Sequence, residues 1–162
     1  MKKLVIIFFI TLHQNVVAQE LSTTLYSRQD SKIWLNADSS FKYFYSVDTY
    51  RAWVVGKWTI KGKKIILKSI PVYDTLVSIN NLTNRGDSLF LSRDEKSERV
   101  VEIPKRTNIG FTYEQNQKMC PTILILRNNK LYVVKNGKRQ KKKIDNGYYI
   151  DSFDPWYTKK VE

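Results

Sequence analysis

From Lys32 onward, apolar and polar residues alternate with a period of two, which places successive side chains on opposite faces of a β-strand. Lys32-Ile33-Trp34-Leu35-Asn36 reads as a short strand and residues 37–40 as a turn cluster. Residues 41–45 read as a second strand, with Phe41, Tyr43 and Tyr45 on one face and Lys42 and Phe44 on the other. Residues 52–60 form a third, rich in Val and Trp; Gly56 within it predicts a bulge, a sharp bend or a close backbone approach. Lys61-Gly62-Lys63 turns the chain into a strand over 64–68. Further strands are predicted near 72–79, 88–93, 99–103, 110–113, 122–126, 130–135, 138–144 and 148–152. Their separators carry Asn, Asp and Gly. Asn136-Gly137 is the strongest hairpin signal, because both central positions of a type I′ turn need positive φ. Residues 19–31 are polar and weakly patterned, a lead-in strand or loop. The one predicted helical turn covers 113–119. Short strands at this spacing predict an all-β fold: an antiparallel meander forming a barrel or sandwich, with little or no helix.

The first eighteen residues follow a different pattern. Lys2 and Lys3 precede the apolar run Leu4-Val5-Ile6-Ile7-Phe8-Phe9-Ile10, and Val16-Val17-Ala18 precede Gln19. A basic n-region, a short h-region and small or apolar residues at −3 and −1 predict a secretory signal peptide. The run is far shorter than the ~20 residues that span a bilayer. Cleavage near Ala18/Gln19 leaves 144 of the 162 residues, one domain over 19–162 with a possible division near 108–121. The expected location is periplasmic or extracellular, with no membrane span in the mature chain. Net charge falls from +13 to +11 as Lys2 and Lys3 leave, and His13, the only histidine, leaves with them. A chain without imidazole has no His-based nucleophile triad and lacks the commonest general base near neutral pH. Cys120, the single cysteine, has no partner within the chain; it is either a buried thiol or one that pairs with another chain.

Residues 36–68 carry a resemblance. Asn36-Ala37-Asp38-Ser39-Ser40-Phe41-Lys42-Tyr43, then Val55-Gly56-Lys57-Trp58-Thr59-Ile60-Lys61-Gly62 followed by Ile65-Ile66-Leu67, resembles small exported bacterial lipocalin-like β domains. The resemblance implies that Trp58 is a core-closing aromatic and that Gly56 lets its strand bend. In lipocalins proper the Gly-x-Trp lies in the first barrel strand, whereas here it falls at about the third. For function, the resemblance implies binding of apolar or envelope components.

Aromatic content is high, with four Trp, ten Tyr and seven Phe. Trp34, Tyr43, Tyr45, Trp53 and Trp58 are the candidates for lining a ligand cavity; the competing reading is that such rings fill the interior of a small barrel. Strand parity sets Trp53 opposite Trp58. From Arg127 to Lys143 there are eight Lys or Arg and no acid. Lys135, Lys138, Arg139, Lys141, Lys142 and Lys143 are candidate anion-binding residues, since clustered cations attract phosphate or sulfate groups; the competing reading is a solvated hairpin whose lysines blunt a sheet edge. Export points the partner away from nucleic acid and toward anionic lipid, lipopolysaccharide or acidic polysaccharide. No phosphate loop, dinucleotide fingerprint or metal-ligand cluster is present, so no cofactor is expected. Asp74, Asp87, Asp94, Glu95, Glu98, Glu102 and Glu114 are scattered with no spacing that pairs them.

These residues favour an exported, non-enzymatic barrel that binds an apolar or envelope-derived ligand. The alternative is an envelope interaction protein that contacts an anionic polymer or partner through its basic C-terminal hairpin. A carboxylate-based hydrolase is the remaining possibility.

Overall fold

In the computed structural model, which describes residues 24–77, 87–102, 112–143 and 154–160, five strands form an antiparallel meander. They are β1 (Thr24–Arg28), β2 (Ser31–Leu35), β3 (Ser40–Val47), β4 (Tyr50–Lys61) and β5 (Lys64–Ser69). An excursion then supplies β6 (Tyr73–Leu76), β7 (Ser88–Leu91), β8 (Arg99–Val100) and β9 (Thr112–Gln115). The chain returns through β10 (Ile123–Arg127), β11 (Lys130–Lys135), β12 (Lys138–Arg139) and β13 (Trp156–Lys159). β5 pairs with β10, β10 with β11, β11 with β13, and β13 with β1. This last pairing closes an eight-stranded antiparallel barrel, so the all-β prediction holds and its barrel form is the one adopted.

Turn chemistry sets the register of the hairpins. Asn136 and Gly137 both have positive φ, 53° and 72°, and Lys135 pairs with Lys138 across them. This is the predicted type I′ geometry. Asn128 and Asn129 repeat it between β10 and β11, at 50° and 57°.

Inward positions follow the period-two pattern. Tyr26, Ile33, Leu35, Phe41, Tyr43, Val54, Trp58, Ile65, Leu67, Leu124, Leu131 and Tyr157 form one buried cluster. Gly56 explains how β4 stays in the wall. A Cβ at this position would lie 2.1 Å from the Lys68 carbonyl oxygen and 2.7 Å from Phe41 Cε1. Of the three alternatives that Gly56 offered, the close backbone approach is the one realised, and the neighbouring strand cannot yield because the obstacle is backbone. Two residues on, the Trp58 indole N–H donates to the Asn36 carbonyl oxygen at 3.1 Å, which ties this ring to the β2–β3 turn.

The excursion packs against the barrel from outside. β7, β6 and β8 make a separate three-stranded sheet. β9 runs parallel to the first half of β4, beside residues 50–53, where β5 is no longer its neighbour. The Gln115 amide holds the two together: it accepts from Val72 N–H at 2.9 Å and donates to the Val72 and Ser92 carbonyl oxygens at 2.7 and 2.9 Å.

One expectation changes, one alternative is decided and one strand is new. Residues 113–119 do not form one helical turn: Thr112–Gln115 is strand, and only Gln117–Met119 is a 3₁₀ turn. The parallel partner strand captures the first half of that segment. The weakly patterned lead-in contains a full barrel strand, β1, whose inward positions are Thr24, Tyr26 and Arg28, so polar residues hide its period. β13 was not predicted, being only four residues long with two of them polar. The strand predicted over 138–144 is strand only at Lys138–Arg139, since β13 takes the next stretch of the β11 edge, and that over 99–103 only at Arg99–Val100. The predicted strand over 148–152, residues 78–79, 103, 110–111 and 144 of four others, and the signal segment lie outside the described residues.

Substituting Gly56→Ala should destabilise the fold by about 3 kcal/mol or more, because a methyl group is driven into a backbone carbonyl. Urea denaturation of the variant checks this; an unchanged midpoint would contradict the contact.

Candidate functional site

The barrel interior is a packed core. A cavity able to take a ligand leaves accessible surface on the side chains that line it, yet Ile33, Leu35, Leu124 and Leu131 are 0% exposed and Phe41, Tyr43 and Tyr157 only 1%. Among the predicted cavity-lining residues, Tyr43 and Trp58 lie inside this core, and Tyr45 packs against it half-buried. Trp34 faces outward, with the Lys42 ammonium 5.6 Å from its ring centre. Trp53 also faces outward, as parity predicted, but it is fully buried under the excursion; its indole N–H donates to the Arg93 carbonyl oxygen at 2.9 Å. The five rings are thus divided between the two sides of the wall.

At the β1–β2 end, the interior becomes polar. Arg28 Nε and Nη2 lie 2.7 and 3.0 Å from the two carboxylate oxygens of Asp30, with side chains only 12% and 6% exposed. Ser31 Oγ is 2.8 Å from Asp30 Oδ1 and 3.3 Å from Tyr157 Oη. One hydroxyl proton serves one acceptor, so Ser31 donates to the carboxylate and accepts from the phenol. The Arg28 guanidinium lies 4.9 Å from the Tyr157 ring centre. Burial, reinforced by the neighbouring Tyr157 hydroxyl, pushes the Tyr43 phenol well above its ordinary range. Burial likewise raises Tyr26 to about 12 and the Cys120 thiol to about 12. Cys120 is accordingly a protonated, unreactive member of the core.

The outer wall beside the closing seam has a different chemistry. Tyr132 of β11 and Trp156 of β13 are register partners, with ring centres 5.5 Å apart. Lys130 places its ammonium 4.6 Å from the Trp156 ring centre, and Arg139 its guanidinium 4.8 Å from that of Tyr132. Period-two alternation puts Lys130 and Tyr132 on this face while Leu131 points into the core. A type I′ hairpin brings Arg139 opposite Val134, diagonal to Tyr132. On the far side of Trp156 a cleft of about 420 Å³ opens toward β1. Trp156 and Lys160 border it from the β13 side, Ser27 and Arg28 from β1, and Lys143 and Asp154 from the intervening chain.

The predicted anion-binding set is divided as well. Arg139 and Lys143 reach this outer wall. Lys135 and Lys138 oppose each other across the hairpin turn, on the opposite face from Arg139, because adjacent strand residues alternate sides. Lys141 and Lys142 are exposed between β12 and the cleft. Sequence reading missed Tyr132, Trp156, Lys160 and Asp154 as site residues. The alternation of Lys130 and Tyr132 was a legible signal for half of the group; the rest depends on closure of β13 against β11.

The described acids mostly serve the scaffold. Asp74 is buried and accepts from the Glu98 N–H at 2.9 Å. Glu95 pairs with Lys42 at 2.6 Å, Asp87 with Arg99 at 3.0 Å, and Glu114 accepts from the Tyr50 hydroxyl at 3.0 Å. Among the described residues, no group of three His, Cys, Asp or Glu could hold a metal ion, and no helix is long and apolar enough to cross a membrane.

The fold and site together define a closed eight-stranded barrel with a packed interior and a cationic, aromatic outer wall. Comparisons with protein-family models, with curated proteins and with solved structures found no match.

Asp30→Ala leaves the Arg28 charge buried and unpaired, and should cost about 3–5 kcal/mol of stability. Replacing both partners with apolar residues, Arg28→Met with Asp30→Leu, should recover most of that loss; chemical denaturation of the single and double variants checks both expectations. Tyr26 also sets an alkaline limit. Its folded pKa of about 12 lies above the ordinary value of 10.0, so the stability it contributes is intact below pH 10 and is lost as pH rises through 12. Thermal midpoints between pH 9 and 12 should therefore fall, and Tyr26→Phe should flatten that slope.

Proposed function

We propose that this chain is an exported, non-catalytic binding module that holds an anionic envelope polymer on the outer wall of its barrel. The observation that carries the reading is the four-residue ladder of Lys130, Trp156, Tyr132 and Arg139, two rings each faced by a cation within 5 Å. Half-buried rings beside cations offer a ligand flat apolar surface and opposite charge at one place. The net charge, +13 for the full chain and +11 once residues 1–18 are removed, adds a long-range attraction for polyanions. The core packing described above argues against the other expectation, an apolar ligand inside the barrel, since the inner side chains already occupy that space. The secretory reading of residues 1–18 supplies the compartment.

Retention on a heparin column tests the proposal. The mature protein should bind at low ionic strength and elute with a steep salt dependence. Lys130→Gln with Arg139→Gln should weaken binding about tenfold, or ~1.4 kcal/mol, whereas Lys135→Gln with Lys138→Gln, an equal loss of charge on the opposite face, should weaken it by much less. Equal effects of the two pairs would reduce the wall to a contribution of net charge alone.

A further inference from the structure

We infer that the cleft between β1 and β13 seats a single acidic sugar residue, a hexuronate, as the specificity subsite of the polymer; this inference rests on the outer-wall reading above. The cleft adjoins the ladder through Trp156, which belongs to both. At about 420 Å³ it falls within the ~300–1,000 Å³ of small-ligand sites, large enough for a sugar ring rather than for an ion alone.

Its charges are few and specific. Among the described residues, ion pairs join Arg28 to Asp30, Lys42 to Glu95, Lys57 to Asp38 and Arg99 to Asp87, which leaves Lys143, Lys160 and Asp154 without a charged partner. Arg28, though it borders the cleft, is already neutralised by Asp30. Among the described lining residues, two lysines against one aspartate leave a net charge of +1, matching a ligand with one carboxylate per ring. A densely sulfated or phosphorylated group would meet the Asp154 carboxylate at close range and be repelled. A sugar ring instead has hydroxyls that donate to that carboxylate. Ser27 and Thr158 stand on the same outward face as register partners; the Thr158 hydroxyl donates to the Ser27 carbonyl oxygen at 3.2 Å, which leaves its lone pairs to accept from a sugar hydroxyl. Trp156 supplies the apolar flank against which the carbon face of a ring packs. An anionic membrane surface fits less well, because it is flat and offers headgroup phosphates where the cleft offers a hydroxyl acceptor.

The experiment is a calorimetric titration of the mature protein with trigalacturonate, with neutral galactotriose, and with vesicles rich in phosphatidylglycerol. Trigalacturonate should bind at least tenfold more tightly than galactotriose. Lys143→Gln with Lys160→Gln should remove that preference, and Trp156→Ala should weaken both trisaccharides. Lys135→Gln with Lys138→Gln serves as the charge-matched control and should leave trigalacturonate binding within about twofold. Circular dichroism and thermal unfolding establish that each variant is folded. Equal affinity for the two trisaccharides, or an equal loss in the control, overturns the inference. Vesicle binding with no trisaccharide binding also overturns it and assigns the wall to lipid. Heparin retention that persists without trigalacturonate binding defeats the uronate subsite alone; loss of both defeats the outer-wall reading with it.

Discussion

Closure of β13 onto β1 is the constraint on which the rest of this structure depends. The seam is short, with Tyr26 opposite Lys159 and Ser27 opposite Thr158. It nevertheless joins the last described strand to the first and removes the two edges that an open meander would expose. Closing the wall encloses a fixed interior, and that interior must then be filled at close-packed density. Tyr157 sits at the junction: its ring faces the core and the Arg28 guanidinium, while its hydroxyl is linked through Ser31 to Asp30. The buried ion pair is tolerable because both charges are hydrogen-bonded to each other in a fork and one carboxylate oxygen also receives Ser31.

The same seam creates the outer wall. In a strand, the residue that points inward fixes where its neighbours point. Once Tyr157 is committed to the core, Trp156 and Thr158 must face out; once Leu131 is committed, so must Lys130 and Tyr132. Burial on one side thereby aligns two rings and two cations on the other. The basic run of the C-terminal hairpin is divided by the same rule. Arg139 joins Tyr132, whereas Lys135 and Lys138 pair on the opposite face, so the density of lysines along the chain overstates the density of charge at any one place.

The excursion between β5 and β10 shows how a second layer changes the meaning of an outward residue. Trp53 has the parity of a surface residue, yet it is covered completely because the segment carrying Arg93 lies over it and accepts its indole proton. Gln115 satisfies three backbone groups of that layer at once. Outward on the barrel therefore does not mean exposed, and of the outward tryptophans Trp34 and Trp156 keep part of their surface accessible while Trp53 does not.

Local patterning by itself determined much of this protein. Period-two alternation identified β2 to β5 and β11, Asn-Gly identified the hairpin at 136–137, and Gly56 announced a bulge, a bend or a close backbone approach, because each of these rests on one residue's geometry or on its immediate neighbours. The all-β class followed from their spacing. Tertiary structure alone decided the remainder. β1 and β13 are too short or too polar to show a period and become strands by pairing with β2, with β11 and with each other. The polar residues Arg28, Asp30 and Ser31 enter the core only because they can satisfy one another there. The aromatic rings crowded over residues 34–58 are divided between interior and exterior by closure and by the covering layer. The outer wall draws on residues 27 to 160, which no local window contains, since its parts meet only when the last strand completes the barrel.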